Sequence, residues 1–128
     1  MINKKNEIYK CKHCGNIVEA VHTGAGELVC CGEPMILVTE NTQEEVATEK
    51  HIPVIEKKCK TITVTVGEVE HPMDKNHYIE WIELISGPIV HRHYLKPGGE
   101  PKVTFVLRAE TFTVRAYCNI HGLWSTTN

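Results

Sequence analysis

The chain has 128 residues, 41% of them hydrophobic, and a formal net charge of −2. That is enough apolar material for a modest core, so a wholly disordered chain is excluded, and the slightly acidic balance argues against a general nucleic-acid or membrane-surface binder. No apolar run approaches the roughly 18 residues needed to cross a bilayer.

Six cysteines and eight histidines are many for this length. The opening Met1-Ile2-Asn3-Lys4-Lys5-Asn6 has basic residues but no apolar stretch behind them, so no export signal is read and a cytoplasmic location is expected. In that setting the cysteines point to metal binding or redox chemistry rather than to disulfides. Adjacent Cys30 and Cys31 also make poor partners for each other, because a vicinal disulfide strains the intervening peptide.

Taken in chain order, residues 1–37 come first and hold four of the six cysteines and few large apolar side chains. A segment this small needs a staple to fold, and a metal can supply it. Cys11-Lys12-His13-Cys14-Gly15 is a C-x-x-C knuckle in which both thiolates can face one ion, and Gly15 eases the tight backbone. The adjacent pair Cys30-Cys31, followed by Gly32, completes a set of four sulfurs suited to iron or zinc. His13 and His22 are expected at the surface, since four sulfurs already close a tetrahedral shell.

Residues 38–47, polar and acidic, read as a linker. The remaining residues, 48–128, carry a β signal. Lys60 to Val66 alternates polar and apolar residues and is rich in β-branched types. Further strands are predicted at Tyr78 to Ile85, Ile89 to Leu95, Lys102 to Leu107 and Thr111 to Tyr117, separated by Gly- and Pro-containing turns. Several short strands at such spacing suggest an antiparallel sandwich or barrel.

Three clusters interrupt this β pattern: Glu49-Lys50-His51-Ile52-Pro53, then His71-Pro72-Met73 with His77 six positions after His71, then Cys118-Asn119-Ile120-His121-Gly122-Leu123-Trp124. Loops at one end of a sandwich can bring such residues together. Imidazoles and a thiolate suit iron, copper or zinc, so ligand type alone leaves the metal open.

The ordered run of these three motifs resembles desulfoferrodoxin, the two-iron form of superoxide reductase. Residues 8–37 similarly resemble a desulforedoxin-like domain, which carries C-x-x-C followed by Cys-Cys. The resemblance implies an all-β chain, with a small desulforedoxin-like domain at 1–37 and an immunoglobulin-like antiparallel catalytic sandwich at 48–128. It implies two irons per chain: one held by Cys11, Cys14, Cys30 and Cys31 for electron transfer, the other by His51, His71, His77 and His121 with Cys118 as axial thiolate. It further implies that the enzyme reduces superoxide to hydrogen peroxide, is re-reduced by a rubredoxin-like donor, and forms a homodimer. Lys50 is then expected to attract the anionic substrate and assist protonation through water. Glu49 is expected to ligate the oxidised iron once peroxide has left.

Other residues have plainer readings. Backbone amides of Asn119 and Ile120 are placed to hydrogen-bond the Cys118 sulfur. Pro53 and Pro72 stiffen ligand-bearing loops. Trp81 and Trp124 read as core or interface aromatics. His91 and His93 fall on one face of a strand and read as exposed, and Cys59 reads as a free thiol. Two rival functions remain at this level. A cupredoxin-type electron carrier would want a methionine after Cys118, and none follows. A zinc-held structural module would leave the histidine motifs unexplained.

Overall fold

The computed structural model describes residues 1–43 and 50–128, which form two units, Met1–Thr39 and Glu40–Asn128. Glu44, Glu45 and Glu49 lie outside the described residues. Every regular element among the described residues is a strand.

In the first unit β1 (Ile8–Lys10) is the middle of a three-stranded antiparallel sheet, flanked by β2 (Ile17–Glu19) and β5 (Ile36–Val38). A two-residue hairpin joins β3 (Val29–Cys30) to β4 (Glu33–Pro34). Ile8, Tyr9, Cys11 and Ala20 are buried, whereas Val18, Val21, Val29, Ile36 and Leu37 are exposed. So small a buried set cannot offset the entropy of ordering the segment, in keeping with a fold stapled at its sulfurs.

The second unit opens with β6 (Glu40–Asn41), so part of the stretch read as linker is ordered strand. β7 (Pro53–Lys58), β8 (Thr61–Val66) and β11 (Lys102–Val106) form one sheet in the order β11-β8-β7. β9 (Ile79–Ser86), β10 (Ile89–Tyr94), β12 (Thr113–Cys118) and β13 (Gly122–Thr127) form the other with β6, in the order β10-β9-β12-β13-β6. The β6–β13 pairing is parallel. Pro53 sits where a proline is tolerated, as the first residue of an edge strand.

The core lies between these sheets. Alternate residues Ile62, Val64 and Val66 of β8, with Val103 and Phe105 of β11, face Ile82 and Leu84 of β9 and Val114, Ala116 and Cys118 of β12. The predicted period of two in β8 is realised residue for residue. β9 and β12 are buried on their other face as well, where Trp81 stacks on Tyr117 with centroids 4.5 Å apart. On that face Glu83, wholly buried, takes Arg92 on one oxygen (Nη2 at 2.6 Å) and Arg115 on the other (Nε at 2.6 Å). The pairing register sets these three side chains directly opposite one another on β10, β9 and β12.

Candidate metal centres

The first group is built by two turns of the first unit. Cys11 follows β1, and its carbonyl accepts a hydrogen bond from Gly15 N at 3.0 Å, which closes the knuckle. Gly15 takes φ +80°, a conformation that glycine adopts without strain. Cys30 ends β3, and Cys31 and Gly32 follow at φ +52° and +76°, so the chain turns sharply and both adjacent sulfurs reach the same place. The four sulfurs of Cys11, Cys14, Cys30 and Cys31 lie within 4.8 Å of one another. Asn16 Nδ2 donates to Cys30 Sγ at 3.7 Å.

The electrostatics fit a cation. The backbone N–H of Cys14, with that of His13, holds the Cys11 thiol down at about 6. Crowding by the sulfurs of Cys14, Cys11 and Cys30 pushes Cys31 up to about 12. Four thiols so close cannot all ionise by themselves, and a divalent ion removes that conflict. His13 and His22 are exposed as expected, and His13 contacts Glu33 at 3.2 Å rather than joining the sulfurs.

The second group is assembled from three loops of the second unit. His51 lies two residues before β7, His71 and His77 lie between β8 and β9, and Cys118 and His121 border the turn from β12 to β13. One donor atom from each of His51, His71, His77, Cys118 and His121 lies within 4.8 Å of every other. Donors bound to a common ion at about 2.0–2.3 Å span up to about 4.5 Å, so the group has the size of one coordination shell. His51 Nε2 and His121 Nδ1 are 3.0 Å apart, and His121 Nδ1 is 3.8 Å from Cys118 Sγ.

Second contacts orient these donors. His71 Nδ1 lies 2.7 Å from Pro72 O, which places the ring proton on Nδ1 and leaves Nε2 as a lone-pair donor. His121 N donates to Cys118 Sγ at 3.4 Å, a contact the sequence reading sought at Asn119 and Ile120. The N–H of Asn119 donates instead to Tyr78 O, at 3.2 Å. Burial grades across the group: His51, His71 and Cys118 are buried, His77 is half-buried and His121 is exposed, so solvent reaches it from the His121 side.

Gly67 shapes the approach to His51. It sits at φ +86°, its N donates to Ile52 O at 3.2 Å, and a Cβ there would overlap the carbonyl oxygens of Lys50 and Val69. Lys50 itself is half-exposed, with Nζ 3.4 Å from Glu68 Oε2. Glu49 lies outside the described residues.

Comparison with known proteins agrees with this geometry. Residues 43–127 match the family profile described as Desulfoferrodoxin, and residues 3–38 match that of Desulfoferrodoxin, N-terminal domain. The chain is 56% identical over 118 residues to a desulfoferrodoxin homolog of Archaeoglobus fulgidus, covering 92% of this chain and 94% of that one. It is 54% identical over 118 residues to the desulfoferrodoxin of Nitratidesulfovibrio vulgaris, covering 92% and 93%. Among solved structures, the superoxide reductase from Treponema pallidum superposes with a TM-score of 0.78 at 31% identity, over 97% of this chain and 99% of that one. The chain belongs to the desulfoferrodoxin family.

Against that desulfoferrodoxin frame the remaining residues sort themselves. Cys59 is an exposed free thiol that accepts from Arg108 Nη2 at 3.7 Å, apart from both donor groups. His91 and His93 are exposed beside Phe105, at ring distances of 6.4 and 5.2 Å. Trp124, read from sequence only as core or interface, touches two members of the histidine group. It stacks on His51, and its Nε1 donates to His121 O at 3.1 Å.

Proposed function

We propose that this protein is a superoxide reductase, converting superoxide with one electron and two protons into hydrogen peroxide and releasing no dioxygen. The observation that carries the reading is the convergence of His51, His71, His77, His121 and Cys118 in a member of the desulfoferrodoxin family. Those five residues would hold a mononuclear iron, which when bound supplies the electron. Cys11, Cys14, Cys30 and Cys31 would hold a second iron that relays or stores electrons. The matches at 3–38 and 43–127 support a division into a relay domain and a catalytic domain.

The chain's own residues have separate parts. The N–H of His121, donating to the buried Cys118 sulfur, would tune how much charge that sulfur gives to a bound metal. Lys50, on the segment leading into His51, is assigned to draw in the anion. Because the protein is slightly acidic as a whole, that attraction must be local. Protons arrive from water on the His121 side. Glu49 is assigned as a further carboxylate donor to the oxidised site. A rubredoxin-like protein as electron donor, a homodimeric assembly and a cytoplasmic location complete the proposal.

The test is made on protein purified from iron-replete cells without oxygen. About two irons per chain, and peroxide formed from each superoxide at the expense of a supplied reductant, are expected. Dioxygen release without consumption of reductant would make the protein a dismutase. Copper, or zinc alone in repeat preparations, would overturn the reductase reading.

A further inference from the structure

Asn119 lies between two candidate ligands in sequence and spans two of them in space. Its Oδ1 accepts from Tyr78 N at 3.0 Å, and its Nδ2 donates to Asn76 O at 3.1 Å. Its own N donates to Tyr78 O at 3.2 Å. Asn76 and Tyr78 flank His77, and Cys118 directly precedes Asn119. Three hydrogen bonds therefore tie the backbone on both sides of one ligand to the residue next to another, across a sequence separation of 41 to 43 residues.

We propose that Asn119 is a positioning residue that sets His77 against Cys118, and with it the fit of the histidine group to its metal. The proposal rests on the reading that these residues share one ion. The turn carrying His77 is closed on itself by reciprocal backbone bonds with Asp74, Asp74 N to His77 O at 2.9 Å and His77 N to Asp74 O at 3.2 Å. Those bonds shape the turn but do not place it. Cys118 is placed separately, at the end of β12, where the pairing with β9 shifts register between Tyr117 and Cys118. At such an irregularity the ladder no longer dictates how the two segments meet. A carboxamide suits the task because its separate oxygen and NH2 offer an acceptor to Tyr78 N and a donor to Asn76 O at once, and an ionised carboxylate or a methyl group cannot do both.

The full-length, metal-free chain is titrated with cobalt(II) against a competing chelator. Thiolate-to-cobalt absorption separates a one-sulfur site from the four-sulfur site by intensity. Residues that orient metal ligands typically contribute about 10–100-fold in affinity. Asn119→Ala is expected to weaken the one-sulfur class about tenfold or more and to shift its absorption band, with the four-sulfur class unchanged. Asn119→Asp keeps an acceptor for Tyr78 and loses the donor to Asn76, and its loss should be intermediate. It carries the test if the alanine variant does not fold. Ser86→Ala removes a side-chain bond remote from the ligands, Ser86 Oγ to Thr111 O at 2.8 Å, and should leave both classes as they are. Asn119 variants that bind and absorb like the parent overturn the proposal alone. A parent chain with no one-sulfur class overturns the shared-ion reading and the proposal together.

Discussion

The indole of Trp124 lies almost parallel to the imidazole of His51, with 15° between planes and 4.7 Å between centroids. The same indole donates to His121 O, so one side chain braces two candidate ligands from opposite ends of the second unit. Trp124→Leu should cost about 2–4 kcal/mol of stability, from lost packing and lost stacking together. It should also weaken metal binding at the histidine group. Denaturant unfolding of the metal-free chain and chelator competition on the loaded one measure the two effects apart. Stability lost with metal affinity intact would make Trp124 a core residue and nothing more.

Lys50 and Glu68 form an exposed pair at 3.4 Å, so the charge assigned to attract superoxide is shared with a surface carboxylate. Lys50→Ala should slow the second-order reaction about two- to fivefold at low salt and flatten its ionic-strength dependence. Glu68→Gln should act in the other direction. Rapid mixing with superoxide at several salt concentrations checks both, and an unchanged rate in Lys50→Ala would remove Lys50 from the steering role.

Cys14→Ser should disturb the four-sulfur group and leave superoxide reduction largely intact, because the histidine group is drawn wholly from residues 51–121 of the other unit. Optical spectra and peroxide yield with a chemical reductant test this on the folded variant. Complete loss of activity would show that the sulfur centre is required for turnover.

Metal affinity of the four-sulfur group should rise with pH. In the free group Cys31, held up at about 12, keeps its proton throughout the working range, while Cys11, held down at about 6, has already lost its own at neutral pH. The bound state carries neither proton, so acid always favours release. The dependence should steepen as pH falls through about 6, where Cys11 also takes up a proton. Chelator competition between about pH 5 and 8 would reveal the change in slope.

Glu83→Ala should be among the most destabilising single changes in the second unit. It leaves Arg92 and the buried Arg115 without the carboxylate between them, although Arg115 Nε also lies 3.7 Å from Glu40. Breaking a buried ion pair by removing one partner costs about 3–5 kcal/mol. Urea unfolding measures it, and a loss below about 1 kcal/mol would show the triad to be effectively solvated.

Much of this was legible in the chain. Alternation marked β8, and Gly- and Pro-containing turns set off the later strands, β11 among them. Short motifs named all the residues that now meet in two groups. β7 was not found, because its outer half, Glu56-Lys57-Lys58, is exposed and shows no alternation at a sheet edge. β13 was hidden inside a run read for its chemistry. The parts played by Asn119 and Trp124 had no local signal, since their partners lie 41 or more residues away, or across a loop whose course only the fold decides.

The turn at Gly67 has a consequence for how this chain can vary. The carbonyls of Lys50 and Val69 occupy the space that any other residue's Cβ would need, and both belong to backbone, which cannot swing aside. In a randomised library screened for retention of a loaded histidine group, position 67 should return glycine alone. Gly24 and Gly26, with open space around them, should accept alanine freely.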